Sequence, residues 1–134
     1  MRSSFALIAI LGALAASAFC AEQAALPAGR RAVSLRLGAL KCRYVEAGDD
    51  VDVLLTYADR DKVRTTAIIL QDVQVLAAKP LSGEVELTLS VTYKGADALA
   101  LAVKKGGVFT IAARASDDHE VHPLEPATFR RLFR

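Results

Sequence analysis

A chain of 134 residues has room for one domain, or for one domain behind a targeting segment. Its net charge of +2 arises from 17 basic and 15 acidic residues that are interspersed, and aromatics make up only 6% with no Trp. That excludes the basic, aromatic-studded stripe of a nucleic-acid binder. The hydrophobic share of 53% is inflated by the N-terminal stretch.

That stretch, MRSSFALIAILGALAASAFC, has the plan of a signal peptide over residues 1–18. Arg2 is the basic start, residues 5–16 are an apolar run, and Ala16 and Ala18 are the small residues before a cut at Phe19. The run is shorter than the roughly 20 residues that span a bilayer comfortably. An uncleaved anchor and a lipoprotein acylated at Cys20 are the alternatives, the latter disfavoured by Phe19 next to the Cys. Export would place Cys20 and Cys42 in an oxidising compartment, where a disulfide between them would contribute about 3 kcal/mol. The other reading is that Cys20 leaves with the signal and Cys42 is a lone, partly buried thiol.

Residues 19–31 are Ala-rich, broken by Pro27 and Gly29, and read as a linker. A first strand follows, with Val33, Leu35 and Leu37 alternating against Ser34 and Arg36. Gly48 marks a turn that requires φ > 0. Residues 51–78 are predicted to form a hairpin: a strand carrying Val51, Val53, Leu55 and Tyr57, a charged turn, and a long return strand that Gln71 and Asp72 interrupt. Residues 79–83 read as a turn. Residues 84–92 alternate most cleanly, with Val85, Leu87, Leu89 and Val91 on a buried face and Glu84, Glu86, Thr88, Ser90 and Thr92 on a wet one. Thr92 is placed to cap a helix whose Ala96, Leu99, Ala100 and Val103 share a face, with Lys104 and Lys105 near its end and Gly106–Gly107 terminating it. A last strand spans residues 108–113. The domain is expected over residues 32–114 and a polar, basic tail over 115–134. The expected fold is mainly β (α+β): a small antiparallel sheet of five to six strands with one packed helix, behind the signal peptide.

Few residues point to chemistry. His119 and His122, with Asp117, Asp118 and Glu120, form His-Glu-x-His, one residue short of the zincin spacing that places two imidazoles on one helix face. They are read as a solvated polar tail, with no metal site expected. Asp49, Asp50 and Asp52 are read as turn chemistry and a wet strand face. Ser34, Ser82 and Ser90 sit in no Gly-x-Ser-x-Gly elbow, and there is no Gly-rich phosphate loop and no Cys-x-x-Cys. No catalytic residue and no cofactor are expected. The C-terminal Phe129, Arg130, Arg131, Leu132, Phe133 and Arg134 differ in kind: Phe129, Leu132 and Phe133 fall at i, i+3 and i+4 beside three arginines. This suits a docking peptide for a partner or an anionic membrane surface, or else a tail helix packing on its own domain.

Four stretches together resemble the CpaB/RcpC family of Flp (Tad) pilus assembly proteins. Residues 51–56, VDVLLT, behind Gly48 and Asp49, are similar to its GDRVDVLLT signature, with Asp50 where Arg is usual. Residues 66–77, TAIILQDVQVLA, resemble its T-x-x-L-L-Q-D/N-V-x-V-L-A. Residues 89–92 with Ala96 and residues 99–102 resemble its strand-to-helix unit, with Tyr93 where Pro is favoured and Gly95 in the first turn. Residues 31–35, RAVSL, resemble the strand that closes its SAF-like module, most of which is missing ahead of that strand. The resemblance covers about residues 29–113. It implies a non-enzymatic periplasmic component of pilus assembly, associated with the outer-membrane secretin and other assembly proteins. Membrane-surface contact and self-association are left open. The alternative is a SAF-like periplasmic chaperone or glycan- or subunit-binding module, similar to the flagellar P-ring chaperone.

Overall fold

Alternating apolar residues become strands because a pleated chain sends successive side chains to opposite faces. A computed structural model, describing residues 26–128, places five strands and one helix in the order expected, and adds a short 3-10 turn after the first strand and a sixth, two-residue strand in the segment read as a tail. The strands are β1 (Arg30–Gly38), β2 (Asp50–Ala58), β3 (Arg64–Pro80), β4 (Glu84–Thr92), β5 (Val108–Ala113) and β6 (Ala127–Thr128). The helix α1 spans Tyr93–Lys105. The signal segment, Cys20 and residues 129–134 lie outside the described residues.

The sheet runs β1-β4-β3-β2-β5, every pairing antiparallel, and β6 adds to β3 at Thr65 and Thr66. Strand β3 is the axis. Its 17 residues pair with β2 along the first part and with β4 along the second. A strand that long follows two partners by bending, and β3 does so at register shifts near residues 69–72 and 76. The β2–β3 turn is held by Asp59, whose Oδ1 accepts the amides of Asp61 at 2.9 Å and Val63 at 3.0 Å. Gly48 has φ 96°, as its turn demands, and its N–H donates to the Val75 carbonyl at 2.8 Å.

One sheet face forms the core. Leu35 and Leu37 from β1, Val51 and Val53 from β2, Val73 and Val75 from β3, Leu87, Leu89 and Val91 from β4, and Ile111 from β5 are all buried there, with Cys42 and Val45. Helix α1 lies against this core. Its N-cap is Thr92, whose Oγ1 accepts the Gly95 amide at 3.1 Å, and Gly106 closes it with φ 74°. The buried stripe is Gly95, Leu99 and Ala102, whereas Ala100 and Val103, expected on that face, are exposed. Gly95 accounts for this rotation: a Cβ there would stand 3.2 Å from Leu70 Cδ2 and 3.3 Å from Val91 Cβ, so the helix turns its smallest residue to the sheet where the two approach closest.

Gly107 is also placed by crowding. An added Cβ would lie 2.6 Å from Leu55 Cδ1 and 2.8 Å from the Thr56 carbonyl oxygen, and the carbonyl belongs to a paired strand that has little room to give. Gly107→Ala is expected to lower unfolding free energy by about 1–3 kcal/mol. Gly38→Ala, with nothing within 4 Å of its added Cβ, is expected to change it by about 0.5 kcal/mol or less. Urea unfolding of the two variants checks the contrast.

Candidate functional site

The other face of the sheet carries Asp50, Asp52 and Ser90, and at its centre β3 bulges. Between Val51↔Val73 and Val53↔Leu70, the single residue Asp52 faces both Gln71 and Asp72. Asp72 takes φ 52°, and its N–H donates to Asp52 Oδ1 at 3.0 Å. The Gln-Asp pair that breaks the sequence alternation is this bulge, and bulges re-aim side chains.

Asp52 Oδ1 also accepts Arg114 Nη1 at 2.7 Å. Arg114 follows directly on β5, and its N–H donates to the Asp50 carbonyl at 2.8 Å. Its side chain is only 5% exposed, and the rest of the guanidinium fork is used on the tail. Nε donates to the Asp118 carbonyl at 2.9 Å and Nη2 to Asp118 Oδ1 at 3.1 Å, while Nη2 also donates to the Glu120 carbonyl. Five donors in a rigid plane make this possible. The Glu120 amide, and then Arg114, hold the Asp118 carboxyl below the usual range. Gln71 completes the clip by donating to the His122 carbonyl at 2.8 Å and accepting the His122 amide at 3.0 Å. Residues 118–122 are thereby fastened across the bulge.

This fastening delivers His119 to two strand carboxylates. His119 Nδ1 lies 3.0 Å from Asp72 Oδ1, and that hydrogen bond raises the imidazole pKa above its ordinary value. One ligand atom each from Asp50, Asp72 and His119 can be chosen so that all three lie within 4.8 Å of one another. They border a cavity of about 320 Å³ that Gln74, Ser90 and Arg30 also line. Ser90, expected on a wet face, is 3% exposed. A second cavity of about 300 Å³ lies where Lys105, Gly106 and Gly107 meet Tyr57 and Arg64, with Lys105 Nζ 4.2 Å from the Tyr57 ring centre.

The sequence cluster of two histidines and three acids does not assemble as a unit. His119 turns to Asp72, His122 is 4.0 Å from Glu120 and exposed, and Asp118 belongs to Arg114. The acidic trio Asp49, Asp50 and Asp52, at the turn and start of β2, divides its work. Asp49 Oδ2 accepts the Glu46 amide at 2.8 Å in the turn, Asp52 binds Arg114, and the Asp50 carboxylate has no hydrogen-bond partner among the described residues. Cys42 is buried, and burial pushes its thiol pKa up against the pull of Lys41. Its proposed partner Cys20 lies outside the described residues, as do Phe129, Arg130, Arg131, Leu132, Phe133 and Arg134. The residue before that hexapeptide, Thr128, pairs with Thr65 in β3. Arg114, Gln71 and Asp72 were not singled out as site residues by sequence. The broken alternation at 71–72 was the one signal, and nothing distinguishes Arg114 from any arginine at a strand end.

A family model described as Flp pilus assembly protein RcpC/CpaB matches residues 23–114. No curated protein and no solved structure matches the chain. The family match ends at Arg114, so the segment that Arg114 holds lies beyond it.

Proposed function

This chain belongs to the RcpC/CpaB family of Flp pilus assembly proteins, with a role in pilus assembly, and we propose that within that machine it is a non-enzymatic periplasmic component associated with the outer-membrane secretin. The family match over residues 23–114 carries this reading. The signal-like N-terminus supports export, and no helix among the described residues is long and apolar enough to cross a membrane. Among the described residues, Arg114 pairs with Asp52 and His119 with Asp72, and both pairs fasten the segment after β5 to the sheet.

Two surfaces suit such contact. Strands β1 and β5 each pair on one side only among the described residues, and the β5 sequence VFTIAA carries no charge to blunt its edge. A partner strand would add there by main-chain hydrogen bonds. The second surface is the hexapeptide from Phe129 to Arg134, with its aromatic and arginine anchors.

Tagged full-length protein, recovered from detergent-solubilised envelopes of a piliated host and analysed by mass spectrometry, is expected to bring down the secretin with other assembly proteins. Recovery of cytoplasmic proteins alone would reject the envelope role. A truncation after Thr128 keeps the β6 pairing with β3 and isolates the hexapeptide. It is expected to keep its melting temperature and lose the secretin. Retained binding would leave the sheet edges as the contact.

A further inference from the structure

We propose that Asp50, Asp72 and His119 form a binding site for a divalent transition-metal cation of the zinc type, which staples residues 118–122 to the sheet. The three donors come from β2, the β3 bulge and the post-β5 segment, and they converge within 4.8 Å. Two carboxylates and one imidazole suit such a cation, and the two carboxylates balance its charge. The His119 Nδ1 to Asp72 Oδ1 spacing of 3.0 Å is close to that of two ligands on one ion, since bonds of about 2.0–2.2 Å place neighbouring donors roughly 3–3.5 Å apart. The ion would take the position of the proton shared by this pair, and that proton would leave to solvent. Asp50 can swing the remaining distance, because its carboxylate is tied by no hydrogen bond among the described residues.

Ser90 is the independent observation. It is 97% buried, lines the same cavity, and its hydroxyl has no hydrogen-bond partner among the described residues. No side-chain oxygen that is fully sealed lacks a partner among the described residues, so that hydroxyl keeps some contact with solvent. An ion in this cavity, or a water that the ion holds, would give that hydroxyl a bond. Arg30 also lines the cavity, but its side chain is exposed and free to swing outward. His119 lies beyond the family-matched residues, so the staple concerns this chain's own C-terminal segment.

The test is calorimetric titration of untagged, metal-free full-length protein with zinc chloride, with thermal melts and amide exchange on the same samples. The expected result is one ion per chain, a raised melting temperature, and slowed exchange at residues 118–122. Asp50→Asn should melt like the wild type without metal, since no hydrogen bond of its side chain is lost, yet bind zinc at least about tenfold more weakly. His119→Gln should weaken binding likewise, and His122→Gln should leave it unchanged. No heat and no melting shift at millimolar zinc would overturn the proposal. So would undiminished binding in Asp50→Asn, or binding lost in His122→Gln, which would place the ion on the tail alone.

Discussion

Leu89→Asp is expected to leave no folded protein in dilute buffer. Leu89 is fully buried at the centre of β4, paired with Val33 on β1 and Val75 on β3. The substitution removes about 2 kcal/mol of apolar burial and places a carboxylate where no donor can reach it, a further cost of several kcal/mol. Domains of this size are stable by only about 5–15 kcal/mol, so the sum reaches the whole margin. Its neighbour is the control. Thr88 points to the opposite face, where its hydroxyl lies 3.0 Å from that of Ser34, and Thr88→Asp is expected to cost about 1 kcal/mol and to melt cooperatively. Circular dichroism melts of both variants decide the matter, and equal melting temperatures would mean that the two faces of β4 are exchanged.

Arg114→Leu is expected to free the C-terminal segment while the sheet survives. The guanidinium joins Asp52 to the Asp118 and Glu120 carbonyls, and leucine can replace none of these bonds. The loss exposes two needs at once: Asp52 retains only the Asp72 amide, and residues 118–120 lose their principal donors. The melting temperature should fall by several degrees, and residues 115–122 should become open to protease and to rapid amide exchange. Arg114→Lys separates charge from geometry. A lysine can pair with Asp52 but cannot fork to Asp118 and Glu120 together, so it should restore part of the melting temperature and little of the protection. Equal protection in the lysine variant would show that the charge alone holds the tail.

These variants probe what differs between the two faces of the sheet. By itself the sequence determined the elements and the apolar face: a period of two in residues 33–37, 51–57 and 85–91, a cap at Thr92 and a stop at Gly106 are local properties, each set by side chains within a few positions of one another. The family was legible for the same reason, since its motifs are those same short stretches. The polar face was decided by tertiary structure. Asp52, Asp72 and Arg114 are far apart in the chain, and they meet because a bulge in β3 turns its backbone toward β2 while β5 pairs on β2's other side. Strand alternation says that Asp50 and Ser90 face away from the core, but not that a tail returns to cover that side. The helix stripe likewise rotated to Gly95, Leu99 and Ala102 because the closest approach to Leu70 selects the residue without a side chain, and a helical period alone carries no knowledge of the surface it will meet.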